Sequence, residues 1–108
     1  MHAFDVLADP VRRRILELLL EREHASGEVV LVVRREFGIS QAAVSQHLRV
    51  LRDNGFASAR VDGPRRLYSL HPQPLQQVDA WLDRFRAFWE HRLDALALEI
   101  ARGKRERG

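Results

Sequence analysis

Between Ser40 and Asn54 the side chains that could do chemistry are short hydrogen-bonding ones with one long cation among them. On a helix of about 3.6 residues per turn, Val44, Leu48 and Leu51 fall on one side. Ala42, Ala43, Ser45, Gln46 and Arg49 fall on the other. A helix enters the major groove of DNA only if its outward face is slim enough to reach base edges, which alanine at 42 and 43 permits. Gln46 can bond adenine through two hydrogen bonds, and Ser45 can serve either base. Free N–H groups at Ser40 and Gln41 can hold a phosphate. The plainer reading is a solvated surface helix. Such a helix usually carries Glu and Lys, yet no acid occurs from Gln41 to Arg52. The pattern points to a helix that reads DNA, with Ser40, Gln41, Ala42, Ser45, Gln46, His47 and Arg49 as candidate contacts.

Two arginine groups stand beside it. Arg60, Arg65 and Arg66 flank Asp62-Gly63-Pro64-Arg65, the tip of an expected hairpin that would lie along the backbone or in the minor groove. Arg12-Arg13-Arg14 lies in the first turns of a helix, where the dipole opposes cations. It reads equally well as a phosphate contact and as a solvated face with snorkelling stems.

The elements that must position these residues are legible nearby. Gly38-Ile39-Ser40 is a turn ending in an N-cap serine, and Gly55 closes the following helix. Asp9-Pro10 opens an earlier helix as N-cap and first-turn proline. Its inner face is Val11, Ile15, Leu18 and Leu19, and it should end near His24. From Glu28 to Phe37 a valine run suits a strand by propensity, while Val30, Val33 and Phe37 fit one face of a helix. The turn and helix that follow favour helix, giving two helices joined through glycine, a helix-turn-helix. Ala57 to Val61 and Arg66 to Leu70 read as the hairpin strands. A last helix is expected from Leu75 to Ala101. Its stripe Val78, Leu82, Phe85, Trp89, Leu93, Leu96 and Ile100 is spaced like a coiled-coil seam.

Composition removes other functions. The 108 residues suit one domain, and the absence of cysteine removes disulfides and thiolate metal sites. Net charge is only +3, so the placing of the arginines says more than the total. No apolar stretch approaches the roughly 20 residues of a membrane helix, and no signal peptide is visible at Met1 to Asp5. The expectation is a cytoplasmic protein, nucleoid-associated when bound to DNA. There is no nucleophile–base pair, no glycine-rich phosphate loop and no paired carboxylates in a plausible pocket, so no enzyme is expected, and no cofactor.

The segments Leu7 to Leu16 and Gly38 to Leu51, with Asn54-Gly55-Phe56 and Arg65 to Leu70, resemble the ArsR/SmtB family of bacterial winged-helix repressors. The likeness covers about residues 4–72. It implies a homodimer on an imperfect palindrome of double-stranded DNA, with first and last helices at the dimer interface. Phe4, Val78, Trp81, Leu82, Phe85, Phe88, Trp89 and Leu93 are the candidate dimer contacts. The stripe could instead pack on the chain's own core. The family's cysteine box would fall on Val29 and Leu31, which ligate nothing. Its other metal site is half present as His91-x-x-Asp94, with Val78 and Ala80 where the first half would stand. The chain therefore resembles the subset lacking metal ligands, and no metal site is expected. A metal-responsive derepressor using His91 and Asp94, or a winged-helix module that binds a partner protein, are the alternatives. Val29, Leu31 and Val32 are expected at the dimer contact or in a small apolar effector pocket.

The resulting expectation is mainly α with a small β-hairpin, a dimeric winged helix-turn-helix in the order α-α-α-α-β-β-α. Residues 1–108 form one domain, with a DNA-binding core at 4–72, a dimerisation helix at 74–101 and a frayed tail at 102–108.

Overall fold

The computed structural model describes residues 1–107, with side chains as far as residue 103. It divides into two compact units, Met1–Gln77 and Val78–Gly108. The first unit holds α1 (Ala3–Leu7), α2 (Pro10–Glu21), β1 (His24–Ala25), α3 (Ser26–Phe37), α4 (Gln41–Asp53), β2 (Ala57–Asp62) and β3 (Arg65–Leu70). The last helix, α5 (Gln73–Arg107), begins there and makes up the second unit.

Local chemistry places the boundaries. Asp9 caps α2, its carboxylate accepting from the N–H groups of Val11 and Arg12 at 2.8 and 3.4 Å. Ser40 caps α4, its Oγ accepting from the N–H of Ala43 at 3.1 Å. At the other end of α4 the N–H of Phe56 reaches the carbonyl of Leu51 and that of Gly55 the carbonyl of Arg52. This double closure needs a left-handed residue, and Gly55 supplies it with φ +78°.

The inner faces expected of α2 and α4 are buried, including Val11, Ile15, Leu18, Leu19, Val44, Leu48 and Leu51. Each such aliphatic chain contributes about 1.5–3 kcal/mol on leaving water. Phe56, just past α4, is 1% exposed and closes the core under the sheet.

Several expectations need correction. The helix from Asp9-Pro10 stops at Glu21, not near His24. His24 and Ala25 instead form a third strand, antiparallel to β3 with His24 opposite Tyr68 and Ala25 opposite Leu67. The sheet order is β1-β3-β2, so the hairpin has a partner strand. The turn is also tighter than expected, because Asp62 pairs with Arg65 and only Gly63-Pro64 remain between the strands.

In α3 the buried face is Val29 and Val33, both fully enclosed, while Val30 is half-buried and Phe37 is 38% exposed. The phase is set where α3 starts: Glu28 reaches back to the N–H of Ala25, fixing the first turn at Ser26. Val29 is thus core, and does not belong to a dimer contact or effector pocket. Finally, α5 starts at Gln73 and remains helical to Arg107 where a frayed tail was expected, with Gly108 outside the described residues. Among the described residues no helix is long and apolar enough to cross a membrane.

Candidate nucleic-acid interface

The turn before α4 is built on Gly38, at φ +65° with its N–H donating to the carbonyl of Arg34 at 2.9 Å. Two residues later Ser40 starts α4, so the α3–α4 connection is short and the two helices pack against each other. With Val44, Leu48 and Leu51 buried, the opposite face is presented to solvent: Gln41, Ala42, Ser45, Gln46 and Arg49 are all exposed, and Ala43 is half-buried. No carboxylate stands on that face before Asp53. The hydroxyl of Ser40 is used by its own cap, so this residue orients the helix.

His47 differs from its neighbours. It is half-buried, with Nδ1 3.4 Å from Arg12 Nη1 and Nε2 3.9 Å from Asp9 Oδ2. It thereby ties α4 to the start of α2. The Arg12-Arg13-Arg14 run is also engaged internally. Arg12 donates to the carbonyls of Val6 and Asp5, and Arg13 to that of Leu7, capping α1 from its C-terminal side. Arg14 grips Glu36 through two bonds of 2.8 and 3.0 Å, which holds that carboxyl below its ordinary value and raises the guanidinium.

The three hairpin arginines separate. Arg60 does not flank the tip. It stands opposite Leu67 on the ladder and forks onto Glu23 at 2.8 and 3.2 Å. Glu23 is held below the usual carboxylate range, first by Arg60 and then by the hydroxyl of Ser69, which donates at 2.8 Å. Arg65 is at the tip and pairs with Asp62 at 2.9 Å. Arg66 is exposed, and its side chain has no ion pair or hydrogen bond among the described residues.

Between α4 and the hairpin lies a cleft of about 240 Å3, lined by Ser26, Ser45, Arg49, Arg52, Arg66 and Tyr68 around Leu48. Ser26, Arg52 and Tyr68 were not among the expected contacts. Ser45, Arg49 and Arg52 recur at i, i+4 and i+7, a stripe visible in the sequence. A second, open groove of about 620 Å3 runs along α3, with Val30, Leu31, Arg34 and Arg35 beside Ile39 and Gln41.

In α5 the apolar stripe is open to solvent. Trp81, Phe85, Phe88, Trp89 and Leu93 are between 39% and 65% exposed, and Val78 and Leu82 are half-buried. The rings of Trp81 and Phe85 lie 4.8 Å apart, and those of Phe85 and Trp89 6.2 Å, forming one aromatic ridge. Phe4 is 41% exposed and stacks on His2 at 5.3 Å. His91 and Asp94 are exposed on α5, and among the described residues no three His, Asp or Glu side chains gather to hold a metal ion.

Residues 9–59 match the arsR family of bacterial regulatory proteins. The chain is 41% identical over 83 residues to the HTH-type transcriptional regulator Rv2034 of Mycobacterium tuberculosis, covering 77% of this chain and 74% of that protein. The chain belongs to the arsR family. It is a DNA-binding transcriptional regulator, and its sheet-flanked helix pair is a winged helix-turn-helix. To the transcriptional repressor SdpR of Bacillus subtilis it is 31% identical over 84 residues, 78% of this chain and 89% of that one. Several other relatives are longer, and the match spans 50–56% of their length. A crystal structure of a possible transcriptional regulator for arsenical resistance aligns with TM-score 0.66 at 37% identity, over 92% of this chain and 96% of that one. The solution structure of the homodimeric winged helix-turn-helix DNA-binding domain of Mb0332 from Mycobacterium bovis aligns with TM-score 0.59 over 79% and 75% of the two chains. At 24% identity this is a likeness of fold.

Proposed function

We propose that this arsR-family regulator is a cytoplasmic homodimeric repressor that reads a palindromic operator through α4. The observation that carries the reading is the exposed, acid-free face of α4. Gln46 and Ser45 are the base-reading side chains, Ala42 allows close approach, and Gln41 at the helix start, Arg49 and the wing residues Arg65 and Arg66 hold phosphates. Arg60 and His47 serve the geometry of the wing and of α4 rather than DNA directly.

The aromatic ridge of α5 supports a dimer, because a contiguous row of exposed tryptophan and phenylalanine marks an interaction surface. Two copies of α4 set about one DNA turn apart, roughly 34 Å, would engage two half-sites. A dimer seated there occludes the duplex, which is repression in its simplest form. The similarity to SdpR, a named repressor, points the same way.

The test is selection from random-sequence duplexes by the purified chain. Recovered fragments are expected to carry two inverted half-sites one turn apart. Recovery of single, unpaired sites would remove the dimeric reading, and recovery of no preferred sequence would remove the base-reading role of α4.

A further inference from the structure

We propose that the cleft between α4 and the wing is a seat for one phosphate group, with Arg52 and Tyr68 as its new binding residues. The cleft brings three guanidinium groups together from two elements, Arg49 and Arg52 from α4 and Arg66 from β3. Their partners set them apart from the arginines that a carboxylate already engages. Arg14, Arg22, Arg60, Arg65 and Arg86 are each paired with a carboxylate through a terminal or fork nitrogen. Arg49 and Arg66 have no such partner among the described residues, and Arg52 touches only Asp53, through Nε at 3.5 Å. Its two terminal nitrogens are left for another ligand. Three like charges lining one cleft of about 240 Å3 repel one another unless an anion lies among them.

Tyr68 is the second, independent observation. The residue is 6% exposed, lines the cleft, and its hydroxyl has no hydrogen-bond partner among the described residues. Among the described residues the unpartnered buried side-chain atom is His24 Nε2, so the Tyr68 hydroxyl reaches solvent in the cleft and can donate to an acceptor that enters it. The remaining polar lining, Ser26 and Ser45, also offers O–H groups, and no carboxylate lines the cleft. A wall of donors converging from α3, α4 and β3 suits a tetrahedral oxyanion that only accepts. Arginine forks match the paired oxygens of phosphate.

The phosphate has two sources. One is the DNA backbone, where a strand leaving the groove entered by α4 passes to the wing; that source rests on the function proposed above. The other is dissolved phosphate or a phosphorylated small molecule, which would make the cleft a site where an effector competes with DNA.

Two conservative variants of the full chain, Arg52→Gln and Tyr68→Phe, separate these. Affinity is read by fluorescence anisotropy on a selected duplex and on a random duplex across a salt series. Thermal unfolding is read with inorganic phosphate against chloride at equal ionic strength. If the seat holds a DNA phosphate, Tyr68→Phe weakens both duplexes by the same factor, about three- to tenfold. Arg52→Gln weakens both and lowers the salt slope by about one contact. If the seat holds a dissolved phosphate, inorganic phosphate raises the wild-type midpoint and neither variant responds. Wild-type behaviour of both variants in both assays would overturn the seat. Gln46→Ala in the same anisotropy assay keeps the two ideas apart: loss of cognate preference there with silent cleft variants leaves the reading helix standing and removes the seat.

Discussion

Glu23 and Arg60, 37 residues apart in the chain, are joined by two N–H···O bonds of 2.8 and 3.2 Å. The same carboxylate accepts from Ser69 at 2.8 Å, so one side chain in the loop after α2 fastens both strands of the wing. Arg60 and Ser69 hold Glu23 below its ordinary pKa. A depressed carboxylate stabilises the fold above the usual carboxylate range, and that contribution is lost as pH falls through the lowered folded value. Glu23→Gln is therefore expected to melt below wild type near neutrality, with the two curves converging in acid. The pair is exposed, so the gap is small. Melting curves that stay parallel down to acid pH would show that Glu23 has no such role.

Gln46→Ala should weaken the cognate duplex by about 1–3 kcal/mol per half-site, the worth of one bidentate base contact. Random duplex should be bound as before. A titration of both duplexes decides it, and an equal loss on each would make Gln46 a backbone contact.

Arg65→Ala removes a charge at the wing tip whose partner, Asp62, is itself exposed. Affinity should drop alike for cognate and random DNA, and the salt slope should fall by about one. An unchanged slope would place the tip away from the phosphates.

Gly38→Ala isolates backbone strain. An added Cβ there meets nothing within 4 Å, yet φ is +65°. The cost should be about 1–2 kcal/mol, seen as a lower denaturation midpoint with an unchanged slope. No loss would mean that the turn can relax into another conformation.

Trp89→Glu puts a charge in the aromatic ridge of α5, where Trp89 is 48% exposed. Sedimentation equilibrium should report a monomer at concentrations where the wild type is expected to dimerise. A variant that stays dimeric would move the interface off this ridge.

What could be read in advance was what short-range chemistry decides. Asp9-Pro10, Ser40 and Gly55 mark helix ends because a cap involves only neighbouring backbone groups. The inner face of α4 follows from its own periodicity. The two-residue β1 could not be read, because it exists only through its pairing with Tyr68 and Leu67. The phase of α3 was misjudged by one residue. Val29 and Val30 are indistinguishable until Glu28 fixes where the helix starts. Arg60 was assigned to the tip by sequence distance, and its true partner, Glu23, is distant in the chain. His47 likewise follows from contacts with Arg12 and Asp9 on another helix. The cleft mixes both kinds: its α4 stripe is periodic, but Tyr68 and Arg66 join it only through the fold.

The short β1 strand has one more consequence. It stitches the entrance of α3 to the middle strand of the wing, and Glu23 adds a bolt beside it. The two prongs of the reading head thus have a fixed span, like calliper jaws locked at one setting. A duplex whose grooves do not match that setting must twist or narrow to fit, at an elastic cost that depends on its own base steps. Operators would then be sorted by stiffness as well as by letters. Exchanging a pliable TA step for a stiff A-tract within one half-site, between the bases that α4 reads and the backbone at the wing, should alter affinity.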